Sequence, residues 1–221
     1  MNSTSLPQQA TAQTPSHQGP SLTKRLLDQS SLIVFVVMII VSAFLSDRFL
    51  TVDNITNILR QSVPLGVVSL GLLFVILTGG IDLSVGSLMA IVSVTVALVV
   101  PDYGLFMGVS AGILVGTLCG AFSGALVATF RIAPFIATLA TMTVARGVAL
   151  IVSKGQPIFI DNAAFNDFGV ANWFGIPSTF YLLIACFLIA LFVYRKTVFG
   201  RLTLSIGSNE IATRFAGIRV A

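Results

Sequence analysis

The chain has 221 residues and a net charge of +4, and it is 56% hydrophobic but only 9% charged. Soluble domains carry about 25% charged residues, so this composition leaves too little polar surface to cover a globule in water. It predicts a multi-pass membrane protein without a sizeable extramembrane domain. Basic residues kept on the cytoplasmic side explain the positive charge better than binding to nucleic acid does.

The chain lacks the usual features of an enzyme. Residues 1–24 are rich in Ser, Thr, Gln and Pro, which predicts a disordered cytoplasmic tail, and the sole histidine, His17, lies within it. Cys119 and Cys186 lie in apolar stretches without metal-ligand spacing and are interpreted as packing residues. No phosphate loop, zinc-protease motif or serine-hydrolase motif is present. We expect neither catalysis nor a metal site.

Residues 25–221 are predicted to form an all-α, polytopic helix bundle with about six transmembrane helices. The apolar run 31–45 is interpreted as an uncleaved first span that leads outward. The mixed polar stretch 47–61 is expected to be an outer loop with a short surface helix. Pro64 would then open a second span that runs inward to Leu77.

The stretch from Thr78 to Ser87 places Asp82, two hydroxyls and three glycines within an otherwise apolar run. The two neighbouring glycines can end one helix, and Asp82 can accept the first free N–H groups of the next helix. A carboxylate is costly against lipid, so it should face protein, water or the membrane surface. Two interpretations stay open: a helix–turn–helix cap, or a helix break that lines a solute path.

A third span is predicted to follow the Asp82 turn and to end at residues 101–104. In the fourth span, which comes next, glycine recurs at every fourth position. Four residues turn a helix by about 400°, so the glycines form a shallow groove that winds around it. Small residues at this spacing allow close helix packing in lipid, whereas room for a passing solute is the weaker alternative. The predicted packing glycines are Gly104, Gly108, Gly112, Gly116, Gly120 and Gly124.

A fifth span is predicted from Pro134, with threonines that can bond back to helix carbonyls. The polar connection 154–177 is expected outside the membrane, with Trp173 as an interfacial anchor. A sixth span over 178–194 returns to the cytoplasm. With this topology eight basic residues fall inside: Lys24, Arg25, Arg131, Arg195, Lys196, Arg201, Arg214 and Arg219. Four fall outside or near it: Arg48, Arg60, Arg146 and Lys154. This asymmetry favours a cytoplasmic N-terminus.

The cytoplasmic segment 195–221 is predicted to contain a short amphipathic helix. Ser208 or Asn209 can cap it, and Ile211 and Phe215 share one face. Such a helix suits insertion into a partner's groove, and the alternative is a helix lying on the headgroups. The residues expected to couple to the partner are Gly207, Asn209, Glu210, Ala212, Arg214 and Gly217.

Three motifs resemble the ribose-type permease subunits of bacterial ABC importers. They are the run from Leu77 to Leu88, the run Pro134–Leu139 followed by Arg146-Gly147, and the segment from Gly200 to Arg214. The resemblance extends from about Leu26 to the last residue. It is specific to the family but not to one sugar.

The resemblance implies a plasma-membrane (inner-membrane) permease that imports a monosaccharide by alternating access. A cytoplasmic ABC ATPase would use the ATP, a second permease subunit would complete the pore, and an extracytoplasmic sugar-binding protein would deliver the sugar; this chain itself would hold no cofactor. Family members have about ten spans in inverted repeats, so the chain is expected to be a truncated first half. Residues expected to line the sugar pathway are Thr78, Asp82, Ser84 and Thr138.

Two other function classes stay open at this point. The chain could be a secondary transporter or channel that needs no ATPase, although Asp82 alone is too little for the carboxylate relays of proton-driven pumps. It could also be a non-transporting scaffold, if the second repeat is never supplied.

Overall fold

The computed structural model describes residues 30–218 and 220. The predicted tail over 1–24, with His17, lies outside these residues, as does Arg219. The described chain divides into two units, one that ends at Asn54 and one that begins at Ile55. In the first unit, helix α1 (Ser30–Leu45) covers the predicted first span, and Asn54 Nδ2 donates to the Phe49 carbonyl at 2.8 Å in the turn after it.

Helix α2 (Val52–Leu77) begins much earlier than the sequence indicated. Residues 52–61 continue the second span as helix, so the interpretation of 47–61 as a loop with a separate surface helix was wrong beyond residue 51. Thr51 Oγ1 accepts from the Asn54 N–H at 3.4 Å and thereby marks the start of α2. Pro64 lies inside the helix rather than at its first turn. It removes one N–H donor but does not end the helix.

Helix α3 (Val85–Ala128) is a helical hairpin, because Gly104 at φ 80°, ψ 169° interrupts it. The two halves run antiparallel. A Cβ built on Gly108 would overlap Val100, one on Gly112 would lie 2.6 Å from Val96 Cγ2, and one on Gly116 would lie 3.2 Å from Val92 Cγ2. In a continuous helix, residues eight apart are about 12 Å from each other, so these contacts require the reversal. Gly120 and Gly124 face open space within the described part of the chain.

Helix α4 (Pro134–Ser153) packs against the second half of α3. Ser123 Oγ donates to Thr141 Oγ1 at 2.7 Å, and both side chains are buried. The threonines of α4 bond back to their own helix as expected: Thr141 to the Ala137 carbonyl at 3.1 Å and Thr143 to that of Leu139 at 2.9 Å.

The connection 154–177 contains structure that the sequence did not predict. Helix α5 (Ala163–Val170) begins where Asn162 Oδ1 accepts from the Phe165 N–H. Strands β1 (Asn172–Trp173) and β2 (Ile176–Pro177) form a small antiparallel hairpin, with Trp173 opposite Ile176. The Arg60 side chain of α2 donates to the Val170 carbonyl at 2.9 Å and to Asn172 Oδ1 at 3.1 Å.

Helix α6 (Ser178–Lys196) is the predicted sixth span, and Leu183 on it fills the space over Gly66 of α2. Two helices follow in the tail, α7 (Val198–Ser208) and α8 (Glu210–Phe215). The sequence indicated only the second of them.

Four of the described helices are long and apolar enough to cross a membrane: α2, α3, α4 and α6. Because α3 reverses at Gly104, these four supply five of the six predicted spans, and the shorter α1 corresponds to the first. The prediction of an all-α polytopic membrane bundle is confirmed. We call the end with residues 78–84 and 197–218 the tail end, and the end with residues 154–177 the loop end.

We predict that Gly112→Ala destabilises the α3 hairpin by about 1–3 kcal/mol, because the new methyl group meets the short, branched Val96 side chain. Gly120→Ala is the matched control. It should be neutral or stabilising by up to about 1 kcal/mol, since alanine is the better helix former. Thermal unfolding in detergent measures both, and Gly112→Ala combined with Val96→Ala should recover part of the loss. Equal stability of the two single variants would contradict the packing.

Candidate functional site

The break between α2 and α3 begins with a complete helix-ending motif. Gly79 adopts φ 77°, a left-handed conformation that suits glycine. The Gly79 N–H donates to the Ile76 carbonyl at 2.9 Å, and the Gly80 N–H donates to that of Val75 at 3.1 Å. These are the two bonds of a Schellman motif. Thr78 Oγ1 also bonds to the Val75 carbonyl at 2.7 Å, so its hydroxyl serves the end of the helix.

Asp82 lies in the turn before α3, where it bonds to the N-cap residue Ser84 and not, as the sequence predicted, to the first free N–H groups of the helix. Its Oδ1 accepts from the Ser84 N–H at 2.8 Å and from Ser84 Oγ at 2.6 Å. The Ser84 side chain is fully buried, whereas Asp82 is half-buried. The Ser84 carbonyl then accepts from the N–H groups of Ser87 and Leu88 and begins the helix. The carboxylate thus satisfies backbone and side-chain donors that water would otherwise serve.

Asp82 also lines a cleft between α2 and α3 of about 380 Å³. The other lining residues are apolar or glycine, and they come from α2 (Val68, Gly71, Leu72 and Val75) and from α3 (Val85, Leu88, Met89 and Val92). A carboxylate at the rim of an apolar cleft can accept hydrogen bonds from a hydroxylated molecule. Asp82 thus accepts hydrogen bonds in the turn before α3 and also lines this cleft.

Thr138 of α4 lies near the same break. Its Oγ1 donates to the Pro134 carbonyl at 2.9 Å and is 3.4 Å from the Ile81 carbonyl oxygen. The Thr138 side chain is 5% exposed and does not line the cleft. The structure therefore brings Asp82, Ser84 and Thr138 to one end of the bundle, but of the four predicted pathway residues only Asp82 lines the cleft.

The break follows a helix of 26 residues, about 39 Å at 1.5 Å per residue. That length exceeds the roughly 30 Å hydrocarbon core of a bilayer. Helix α2 is therefore long enough to cross a membrane, and residues 78–84 follow its last turn.

Ser87 is a buried polar residue that the sequence analysis did not single out. It is 1% exposed, and its Oγ has no hydrogen-bond partner among the described residues. The spacing Ser84-x-x-Ser87 places both hydroxyls on one face of α3. This spacing can be read from the sequence, but the spacing alone does not distinguish a buried serine from an exposed one.

The tail helices are closely capped. Asn209 Oδ1 accepts from the Ala212 N–H at 2.9 Å, as predicted, and Glu210 pairs with Arg214 at 2.6 Å. Both charged side chains are more than half exposed, so the ion pair adds little stability. Gly217, at φ 82°, ends α8 through its bond to the Arg214 carbonyl.

One apolar face of α8 is left open. Ile211 is 69% exposed and Phe215 is 89% exposed. The opposite side is tied to α7, because buried Thr213 donates to the Ser205 carbonyl at 2.9 Å. The shared face predicted for Ile211 and Phe215 thus points away from the helix on which α8 rests.

We predict that Asp82→Ala lowers the free energy of unfolding by about 1–3 kcal/mol, because the N–H and the hydroxyl of Ser84 lose their acceptor. Asp82→Asn retains an acceptor oxygen and should lose less. Asp102→Ala is the control, since Asp102 is exposed at the hairpin turn of α3. Equal stability of Asp82→Ala and Asp102→Ala in thermal unfolding in detergent would contradict this role of the Asp82 carboxylate.

Known proteins similar to this chain are membrane permeases. It is 38% identical over 200 residues to the ribose import permease protein RbsC of Haemophilus influenzae, covering 88% of this chain and 62% of the relative. It is 41% identical over 198 residues to the L-arabinose transport system permease protein AraH of Escherichia coli, covering 89% and 60% respectively. It is 42% identical over 190 residues to RbsC of Bacillus subtilis, covering 85% and 59%. No solved structure matches the chain.

The chain thus spans about 60% of the length of these relatives. A family match extends over residues 54–221, well over half of the chain. The resemblance identified from the motifs is confirmed at the level of the family. The protein belongs to the permease family described as "Branched-chain amino acid transport system / permease component".

Proposed function

We propose that this chain forms part of the membrane pore of an ABC importer that moves a monosaccharide inward. The energy would come from a separate ATPase subunit that binds ATP, and this chain would carry out no covalent chemistry. The names of the relatives, ribose import permease and L-arabinose permease, support a sugar as the substrate class. The observation that carries the proposal is the open face of α8 at the same end of the bundle as Asp82.

We propose that the protein lies in the inner membrane and that its tail end faces the cytoplasm. Most basic residues of the described chain cluster near that end, among them Arg131, Arg195, Lys196 and Arg201. Basic residues are retained on the cytoplasmic side. The N-terminus would then also be cytoplasmic, and the loop end would face outward.

The ATPase is proposed to bind α8 of segment 195–221. Asn209, Ala212 and Gly217 fix the two ends of this short helix, so that Ile211 and Phe215 are presented in a defined geometry. A preorganised apolar helix face loses little conformational entropy on entering a groove. Glu210 and Arg214 would form the polar rim around it.

The sugar pathway is proposed to pass Asp82. Its carboxylate can accept hydrogen bonds from sugar hydroxyls at the rim of the cleft between α2 and α3. Thr78, Ser84 and Thr138 would act on the pathway by fixing the shape of the break, because their hydroxyls already bond to Val75, Asp82 and Pro134.

The remaining partners follow from the two faces that the bundle leaves open. The glycines Gly120 and Gly124 would pack against the second permease subunit or against further helices, since small residues permit close approach in lipid. The sugar-binding protein would approach the loop end, where Arg60 holds the β-hairpin in place.

We predict that Phe215→Ala weakens binding of an ABC sugar-importer ATPase by about tenfold or more, because burying a phenylalanine contributes about 1.5–3 kcal/mol. Phe159→Ala is the matched control. Phe159 is 86% exposed, close to the 89% of Phe215, but it lies at the loop end. Binding is measured with the purified ATPase and the chain in nanodiscs. A wild-type chain that does not bind the ATPase, or equal losses for both variants, would contradict the docking role.

Transport itself is tested by sugar uptake into cells that express the chain with its ATPase and binding protein. We expect uptake to survive an uncoupler that collapses the proton gradient and to stop when ATP is depleted. Uptake that stops with the uncoupler while ATP is maintained would indicate a secondary transporter. ATP-independent, passive uptake would indicate a channel.

A further inference from the structure

The end of α2 and the C-terminal part of α7 approach each other more closely than any side chain would permit. A Cβ built on Gly207 would overlap the Leu77 carbonyl oxygen and lie 2.9 Å from the carbonyl carbon. Leu77 is the last residue of α2, so its carbonyl has no partner within its own helix. The Cα–H of Gly207 faces this oxygen, the arrangement of a weak Cα–H···O contact.

Further contacts hold α7 in this place. The rings of Phe74 on α2 and Phe199 on α7 lie 5.8 Å apart between centroids, inclined at 45°. At the other end, a Cβ on Gly200 would overlap the Tyr194 carbonyl oxygen of α6. Helix α7 is thus packed against the backbone at both of its ends, and it has little freedom to slide without moving α2.

A continuous set of contacts leads from α8 to the Asp82 cleft. Thr213 of α8 bonds to the Ser205 carbonyl, which lies two residues before Gly207. Gly207 abuts the Leu77 carbonyl, and Leu77 leads into the hydrogen-bonded turn that ends at Gly80, from which the backbone continues through Ile81 to Asp82. Val75, whose carbonyl holds that turn, itself lines the cleft. Each step is a hydrogen bond, a covalent link or a contact without a gap.

We propose that Gly207 is a positioning residue that couples the tail helices to the Asp82 cleft. A displacement of α8 would shift α7, and the rigid contact between Gly207 and the Leu77 carbonyl would pass that shift to residues 78–82. Only glycine allows this contact, because any Cβ would push the two backbones apart. The inference rests on the proposed function for the source of the displacement, ATPase docking, but not for the contact itself.

The test uses a spin label at Ile81, which is 55% exposed within the break. The Ile81→Cys chain, with Cys119 and Cys186 replaced by alanine, is labelled and studied by EPR in nanodiscs. We expect Gly207→Ala to raise the mobile fraction of the label by about twofold or more, a small shift of a two-state equilibrium. Gly147→Ala is the matched control, because a Cβ there meets open space, and it should leave the spectrum unchanged.

The second arm adds the ATPase with a non-hydrolysable ATP analogue. The Ile81 spectrum of the unsubstituted chain should change on binding, and Gly207→Ala should lose at least half of this change while binding the ATPase with an affinity within about twofold of the unsubstituted chain. If Gly207 had only a structural role, the Gly207→Ala variant would not keep its affinity for the ATPase while losing the change in the Ile81 spectrum. If Gly207→Ala does not fold, Phe199→Ala, which removes the ring against Phe74, should reduce the response in the same direction.

Two results would overturn the inference. One is an Ile81 spectrum that Gly207→Ala leaves unchanged in the first arm, and the other is a full response to the ATPase in that variant. Failure of the proposed function has a different signature. In that case the ATPase would not bind the unsubstituted chain, whereas the first arm would still report the contact between Gly207 and Leu77.

Discussion

A chain that crosses lipid has to satisfy its backbone polar groups internally wherever a helix ends. The break at residues 78–84 meets much of this constraint with its own atoms. Gly79 and Gly80 close the end of α2, and one carboxylate oxygen of Asp82 serves both donors of Ser84. Contacts from outside the turn complete it, since Thr138 of α4 lies 3.4 Å from the Ile81 carbonyl oxygen and Gly207 of α7 packs against the Leu77 carbonyl. The geometry of this end of the bundle depends on that turn.

The same constraint explains why glycine occurs where backbones meet. The hairpin of α3 folds back on itself only because Gly108 and Gly112 leave room for Val100 and Val96. At the tail end, Gly207 lets α7 rest on the last carbonyl of α2. In lipid, where burial of apolar surface does not drive helices together, such close packing supplies much of the attraction. The tail helices are therefore part of the bundle and not a loose appendage.

The features that the sequence predicted well are those set by local rules. The cap at Asn209 and the stop at Gly217 each depend on residues within four positions. The apolar spans were also predictable, because segments of this composition are stable only in contact with lipid. The family resemblance depended on the same short motifs.

The sequence-based predictions were wrong where polar residues form part of a helix, and they were incomplete where a helix depends on contacts between residues that are far apart along the chain. Residues 52–61 look like a loop because Asp53, Asn54, Asn57 and Arg60 interrupt the apolar pattern, yet α2 extends through them. Helix α7 was missed because Gly200 and Gly207 are poor helix formers. The structure shows why glycine is required there: the backbone of Tyr194 contacts Gly200, and the backbone of Leu77 contacts Gly207. Sequence periodicity does not predict a contact between backbones that are far apart along the chain.

Asp82 and the tail helices are proposed to share one cytoplasmic face, with the β-hairpin on the opposite face. Single cysteines at Leu83, Ser208 and Phe174 in a cysteine-free background test this directly with a membrane-impermeant maleimide. In vesicles of known orientation, we expect labelling of positions 83 and 208 only from the cytoplasmic side and of position 174 only from outside. Labelling of positions 174 and 208 from the same side would contradict the account.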